Sequence, residues 1–215
     1  MSLFDVLAES EGRDLLANRI FGVVVGVVTN NQDPDGLGRV KVKFPWLSDT
    51  EESFWARVAS PMAGKEHGIY FLPEVEDEVL VTFEHGDVGF PYVLGALWNG
   101  QAKPPENNGD GKNNNRTIKS RSGHVIRLSD EDGKAKIEII DMSGNNKIVF
   151  DSAENTITVA SDKDIVLSAA KGTIKLDAQK IEIKSSADAK IESGAGMNVK
   201  ATGQMNVKGA TVNIN

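Results

Sequence analysis

Short stretches with alternating apolar and polar residues occupy the first hundred positions of the chain. Five of them are rich in valine and aromatic residues, and turns containing glycine, proline or aspartate separate them. Glycines inside two of these stretches permit the strong bends that a small closed barrel requires. The pattern predicts a five-stranded barrel of the oligonucleotide/oligosaccharide-binding (OB) type, with a five-stranded sandwich fragment as the alternative. The predicted strands lie within residues 20–30, 39–46, 53–60, 78–86 and 91–100.

A second pattern begins at Lys134 and continues to the last residue. Pairs of apolar residues spaced i, i+2 recur about every eight residues, with Lys, Asp, Asn, Ser and Gly between them. Each pair fits one short strand with a single buried face, which must stack on further copies to bury a core. The pairs are Ile137/Ile139, Ile148/Phe150, Ile157/Val159, Ile165/Leu167, Ile174/Leu176, Ile181/Ile183, Ala189/Ile191, Met197/Val199, Met205/Val207 and Val212/Ile214.

Two arrangements satisfy this repeat. One chain can coil with about three units per turn, or three chains can intertwine, each supplying one face at every level. The repeat uses Ile, Leu, Val, Met and Ala but only one aromatic residue, Phe150, which favours a thin core shared by three chains. We therefore predict an all-β homotrimer in which the barrel precedes an intertwined triple-stranded β-helix. At a strand spacing of about 4.8 Å, ten units form a needle roughly 50 Å long.

Composition divides the chain at the same place as the pattern. Of the 13 aromatic residues, 12 occur at or before Trp98, so we expect bulky side chains to fill the barrel. The next stretch is rich in asparagine and too polar to fold alone, which indicates a linker. The predicted organisation is an N-terminal arm (1–19), the OB barrel (20–98), a linker and neck (99–133) and the β-helix needle (134–215).

Charge follows the same division. The net charge is -7, but the needle has 11 lysines and 10 acidic residues, so the preceding part has a net charge of -8. Such an acidic surface argues against nucleic acid as a partner. The chain has no cysteine, which excludes disulfides and thiolate chemistry and suits folding in a reducing cytoplasm. It also has no apolar run long enough to span a membrane and no signal-peptide pattern at its start.

Residues 73–98 contain the most specific motif. A Pro-Glu-Val lead-in precedes a valine-rich strand, a Gly-Asp turn, and a proline followed by Val-x-Gly. The motif resembles the central spike protein of contractile-tail baseplates, namely baseplate assembly protein V of Mu-like phages and the matching part of type VI secretion VgrG proteins. With residues 33–42, 120–124 and the repeat, the resemblance covers about residues 20–215. Glu76 stands where the family commonly has glycine, and we expect a local change of turn. The signature residues are Pro73, Gly86, Asp87, Pro91 and Gly95.

The resemblance implies a structural spike that pierces the target envelope when a sheath contracts. It implies a homotrimer whose barrel and residues 1–18 dock on a trimeric hub protein, with transient contact to the target membrane. The mature protein would lie in the baseplate of a phage tail or injection particle. A separate tip protein of the PAAR-repeat kind would cap the C-terminal end at Val212, Asn213, Ile214 and Asn215.

Residues able to carry chemistry are scattered. The three histidines are far apart in sequence, and no nucleophile, P-loop or dinucleotide motif is present. Some relatives end in a His-x-His iron site, but this chain ends in Val-Asn-Ile-Asn, so we expect no metal tip. We predict a protein that is not an enzyme and holds no metal or cofactor. The histidines are His67, His85 and His124.

Two other functions compete with the spike. The barrel could bind a glycan or single-stranded nucleic acid, with Trp46, Trp55 and Trp98 as stacking platforms. This function leaves the regular repeat without a role. Alternatively, the repeat could form a single-chain β-solenoid adhesin, which would be a monomer.

Overall fold

The computed structural model describes residues 19–48 and 50–214, so the prediction for the N-terminal arm falls almost entirely outside the described residues. These described residues form strands, turns and extended chain, with one 3₁₀ turn and no α-helix. None of them belongs to a helix that could cross a membrane. The predicted all-β class is confirmed. The chain divides into two compact units, one ending at Asp164 and the other starting at Ile165.

The barrel contains five strands of one sheet, in the order β2-β1-β6-β7-β3, and a small hairpin of β4 and β5. All neighbours in the sheet are antiparallel except β3 and β7, which are parallel. The strands are β1 (Val24–Asn30), β2 (Lys41–Lys43), β3 (Arg57–Val58), β4 (Ala63–Gly64), β5 (His67–Gly68), β6 (Glu78–Phe83) and β7 (Pro91–Ala96).

A backbone bridge joins the two ends of this sheet. Val40 N–H donates to the Ala56 carbonyl (N···O 3.0 Å), and Ala56 N–H donates back to Val40 (2.7 Å). The two edge strands of the sheet are β2 and β3. The bridge connects the residue before β2 to the residue before β3. Such a closed five-stranded ring is an OB-type barrel. The predicted barrel is therefore confirmed, and the chain does not form a sandwich fragment.

Valine, rather than bulky aromatic residues, fills the barrel. Only Phe44 and Phe83 among the aromatic residues belong to the described core, with ring centroids 5.7 Å apart. The expectation that aromatic side chains fill the interior was wrong, because five short strands enclose a narrow space and alternation directs small β-branched residues into it. The other core residues are Val28, Val40, Val42, Ala56, Val79, Val81 and Val93.

The turn between β6 and β7 explains two signature residues. Gly86 is buried with φ +76°, and a Cβ there would lie 3.0 Å from the Cβ of Arg19. Its carbonyl accepts a hydrogen bond from Ile20 N–H at 2.9 Å, which ties the chain before β1 to this turn. The Asp87 carboxylate accepts a hydrogen bond from Gly89 N–H at 2.9 Å. Glycine and aspartate are therefore needed for backbone geometry at this turn.

The remaining signature residues also have local structural roles. Pro91 is buried as the first residue of β7, and Pro73 is buried five residues before β6 begins. Gly95 pairs with Leu80 next to a bulge, because Leu94 has no partner in the register. Bulges bend a strand, and glycine accommodates the bend.

Glu76 occupies the turn before β6 with φ +74°, in the left-handed region that disfavours residues with a Cβ. We expect Glu76→Gly to stabilise the barrel by about 1 kcal/mol, since glycine adopts this conformation without the Cβ penalty. Thermal unfolding followed by tryptophan fluorescence measures the change, because all three tryptophans lie at or before Trp98. Glu76→Ala is the control, since it removes the carboxylate but keeps the penalty. Equal stabilisation by both substitutions would contradict the backbone explanation.

A second sheet follows the linker. Its five strands form an antiparallel meander in the order β12-β11-β10-β9-β8. The predicted boundary between neck and needle, at residues 133 and 134, falls between β9 and β10 of this sheet. The predicted domain limits stay a prediction. The strands are β8 (Asn115–Lys119), β9 (Val125–Ser129), β10 (Lys136–Ile140), β11 (Lys147–Asp151) and β12 (Thr156–Ala160).

Residues 162–214 are extended and form no strand pairing within the chain, and all of their side chains are exposed. A single-chain solenoid would bury the apolar pairs against the chain's own turns, so these residues do not form one. The chain bends about once per repeat unit. The bends lie at residues 162–163, 170–172, 179, 186–187, 194–195, 202–203 and 210–211.

Candidate functional site

One face of the meander is apolar and uncovered, and we call it the open face. Cross-strand register aligns its side chains in rows, in which Ile139 lies opposite both Ile126 and Ile148. A second row places Ile137 opposite both Leu128 and Phe150. These residues are 37–68% exposed in the single chain. The open face consists of Ile118, Ile126, Leu128, Ile137, Ile139, Ile148, Phe150, Ile157 and Val159.

The opposite face of the meander, which we call the polar face, carries ion pairs together with Val125, Ile140 and Val149. Lys136 Nζ lies 2.9 Å from the Asp151 carboxylate on the next strand, which lowers the pKa of Asp151 and raises that of Lys136. Arg127 contacts Glu138 at 3.5 Å and Glu106 of the linker at 3.1 Å. The linker is thus attached to the polar face.

Glu106 is the linker's main contact with this face. Its Oε1 accepts a hydrogen bond from the Thr117 hydroxyl at 2.7 Å, and its Oε2 accepts one from Asn115 Nδ2 at 3.3 Å. The Thr117 hydrogen bond, with the nearby Arg127 guanidinium, lowers the pKa of Glu106. A charged carboxylate therefore fixes the linker across β8 and β9.

The two faces have the reverse of the burial expected for an isolated sheet. The Glu138 and Asp151 side chains on the polar face are 21% and 15% exposed, whereas Ile139 on the open face is 46% exposed. Leaving a continuous apolar face in water forgoes roughly 25 cal/mol for each Å² of apolar surface. The open face is therefore the main candidate interaction surface of the meander.

The repeat beyond the meander has the same two-sided character. Lys175 and Asp177 approach to 3.3 Å and Lys190 and Glu192 to 2.6 Å, and Lys180 contacts Glu182. These charged pairs alternate with the apolar pairs, which are predicted to form the needle core and are exposed in the single chain. The predicted core residues after Asp164, all exposed in the single chain, are Ile165, Leu167, Ile174, Leu176, Ile181, Ile183, Ile191, Met197, Val199, Met205, Val207, Val212 and Ile214.

The predicted tip-docking residues are also exposed. Val212 is about half exposed, and Ile214 is 90% exposed. Asn213 lies between them on the extended chain, and Asn215 is outside the described residues. The structure thus leaves the two apolar side chains uncovered.

The barrel surface carries apolar patches that the sequence pattern did not predict. Phe21, Val88 and Phe90 are exposed beside the β6–β7 turn. A second set, comprising Met62, Ile69, Tyr70 and Phe71, is exposed on and beside the β4–β5 hairpin. An apolar run outside the strand alternation, namely the Ile-Tyr-Phe of residues 69–71, is the signal that could have identified the second patch.

Asp33 organises the loop between β1 and β2. Its carboxylate accepts hydrogen bonds from Leu37 N–H (3.0 Å) and from Arg39 Nε (2.8 Å) and Nη2 (2.7 Å). The side chain is only 3% exposed. The Arg39 side chain, together with backbone N–H donors, holds the pKa of Asp33 well below its usual range.

We expect Asp33→Asn to lower the melting temperature of the barrel by several degrees at pH 7. Because the pKa of Asp33 is depressed on folding, its contribution to stability is complete above the unfolded value of about 3.9 and declines as the pH falls below it. The difference in melting temperature between wild type and variant should therefore narrow below about pH 4. Asp35→Asn, on the exposed side of Arg39, is the control. A difference that does not change with pH would contradict this role.

Two of the three candidate stacking platforms, Trp46 and Trp55, contact neighbouring side chains, whereas Trp98 is 70% exposed. The Trp55 ring lies 5.9 Å from the Arg39 guanidinium and 5.7 Å from Lys41 Nζ. Trp46 tilts against Phe44 at 6.2 Å between ring centroids. Arg39 and Lys41 are in turn paired with carboxylates. A nucleic-acid phosphate would have to displace these ion pairs.

Comparison with known proteins identifies the barrel. Residues 24–98 match the sequence family described as the type VI secretion system/phage-baseplate injector OB domain. This segment is similar to injector OB domains. The sequence resemblance to VgrG-type baseplate spikes is thereby confirmed, and the signature residues of the β6–β7 region all lie inside the matched segment.

Similar proteins include type VI secretion system spike proteins. VgrG3 of Vibrio cholerae is 39% identical over 75 residues, which are 33% of this chain and 7% of that protein. VgrG5 of Pseudomonas aeruginosa is 39% identical over 95 residues, covering 40% of this chain and 12% of that protein. The actin cross-linking toxin VgrG1 of Vibrio cholerae is 30% identical over 102 residues, covering 46% and 9%. The matched part is thus a small fraction of each relative.

The barrel and the meander contain no group of three or more histidine, cysteine or acidic side chains suited to a metal ion, as far as the described residues extend. His67 lies on the β4–β5 hairpin and His85 in the β6–β7 turn, whereas the His124 ring accepts a hydrogen bond from Met142 N–H at 3.2 Å. The structure does not bring the three histidines together.

Proposed function

We propose that this protein is the structural central spike of a contractile injection machine and pierces the target envelope when the sheath contracts. The observation that carries the proposal is the uncovered apolar surface of the chain, found on the open face of the meander and in the apolar pairs of the repeat that follows it in sequence. The similarity to injector OB domains and to VgrG spike proteins supports the same machine. We infer a structural role without catalysis, metal or cofactor.

Three copies of the chain account for these uncovered surfaces. The open faces of three chains pack around one axis, and the chain beyond Asp164 intertwines with its two copies so that the apolar pairs meet inside. Backbone groups without a partner in one chain then pair between chains, which leaves no lateral edge. Such a rod unravels only when all three chains separate, so it transmits axial force.

The two ends of the needle have different partners in this proposal. Phe21, Val88 and Phe90 supply an apolar surface through which the barrel, with residues 1–18, docks on a trimeric hub protein. A PAAR-type tip protein caps the other end. The protein is made in the bacterial cytoplasm, acts in the baseplate of the assembled particle, and touches the target membrane only transiently.

Light scattering tests the trimer directly. A mass of about 70 kDa, three times the 23.2 kDa of one chain, supports the spike, and a mass of 23.2 kDa refutes it. The measurement also separates the spike from a single-chain adhesin, which would be a monomer.

Deleting residues 205–215 is expected to abolish binding of a PAAR-repeat tip protein while the truncated chain remains a trimer. The deletion removes the last apolar pairs, including Val212 and Ile214, that form the docking end. Pull-down of a purified PAAR-repeat protein with a tagged trimer measures the loss. Deleting residues 197–204 is the matched control, since it removes one Met-Asn-Val-Lys unit and keeps the end. Tip binding by the 205–215 deletion would contradict this docking site.

A further inference from the structure

The net charge changes along the chain, and its C-terminal end is positive. Residues 1–133 have a net charge of -8, residues 134–192 contain 9 lysines and 10 acidic residues, and residues 193–215 contain two lysines and no acidic residue. In a trimer, six lysines are therefore concentrated at the tip end.

Those two lysines differ from the lysines that precede them. Lys175, Lys180 and Lys190 each contact an acidic residue two positions away. Lys200 and Lys208 belong to an exact repeat, Met-Asn-Val-Lys at 197–200 and 205–208, which places them at the same point of successive units. The closest acidic residue along the chain precedes Lys200 by eight positions.

We propose that Lys200 and Lys208 form a cationic collar that binds the anionic phospholipid headgroups of a bilayer; the collar rests on the proposed trimeric spike. Each lysine directly follows the valine of an apolar pair. Because that valine faces the needle core, strand alternation directs the lysine side chain to the outside of the needle. A tip protein on the end face therefore leaves the collar accessible. Lysines near an anionic membrane each contribute favourably, and four to eight of them make an effective electrostatic contact.

The acidic barrel does not prevent this contact. At physiological ionic strength, charges are screened beyond about 8 Å, so a bilayer responds to the charge nearest to it. The collar is thus selective for anionic over zwitterionic lipid, and its binding depends on salt.

Vesicle co-flotation of the full-length protein tests the collar. We expect binding to phosphatidylcholine vesicles that contain phosphatidylglycerol, and loss of binding with pure phosphatidylcholine or in high salt. Lys200→Gln/Lys208→Gln should weaken binding at least about tenfold. Lys171→Gln/Lys184→Gln is the matched control, since it removes the same charge among acidic residues and should bind normally. Equal losses in the two variants would show an effect of overall charge and overturn the collar.

Light scattering on the same samples separates this inference from the proposed function. A wild-type trimer that does not bind anionic vesicles overturns the collar and leaves the spike intact. A wild-type monomer overturns the spike, and with it the collar. Normal vesicle binding by the Lys200→Gln/Lys208→Gln trimer also overturns the collar. The two lysines would then be available to contact an acidic surface of a protein partner.

Discussion

Replacing Ile139 with lysine is expected to abolish assembly of the trimer. Ile139 lies at the centre of the open face, between Ile126 and Ile148 on the neighbouring strands. In a single chain it is nearly half exposed, so the substitution barely disturbs the monomer. In the trimer, three lysines would be buried around the axis without counter-charges, at a cost of several kcal/mol for each ion. Light scattering should then give the mass of a single chain.

Thr158→Lys provides the control for this experiment. Thr158 is exposed and lies on the polar face of the same meander, one strand beyond Val149 in the register. Lysine there remains in water, so the trimer should form as in the wild type. A trimer from Ile139→Lys, or equal loss from both variants, would show that the open face is not the assembly surface.

Ending the chain after Asp164 is expected to remove the resistance of the trimer to detergent. We expect the full-length trimer to survive SDS without boiling, because its chains separate only when the intertwined region unravels. Full burial of one Ile, Leu, Val or Met side chain contributes about 1.5–3 kcal/mol. The thirteen predicted core residues after Asp164, multiplied by three chains, therefore contribute tens of kcal/mol before the entropy of ordering is subtracted.

The truncated chain retains an intact barrel and meander for comparison, since its compact unit ends at Asp164. Its tryptophan fluorescence should match that of the full chain, while its oligomer dissociates in SDS without heating. The deletion of residues 197–204, which removes one repeat unit, should keep the resistance. Equal resistance in the chain that ends at Asp164 would locate the kinetic stability in the meander instead of the repeat.

The positions of the five barrel strands could be predicted from local sequence patterns. Alternation of apolar and polar residues and the turn residues Gly86 and Asp87 define where strands begin and end, and these signals act over a few residues. The prediction that aromatic side chains fill the barrel was wrong, because local patterns do not report the width of the interior. Phe54, Tyr70 and Trp98 are as hydrophobic as a core residue, but the width of the barrel interior depends on strand number and is not encoded in any one strand.

The sequence by itself determined the five barrel strands, the eight-residue repeat with its apolar pairs, and the separation of acidic and positive segments. These features follow from residue spacing and charge, which can be counted along the chain. Only the tertiary structure decided that Glu76 is left-handed, that Asp33 closes its loop through Arg39, and that Glu106 attaches the linker to the polar face of the meander. Each of these depends on the backbone conformation of a turn, loop or linker and on where it places side chains, which residue spacing alone does not specify.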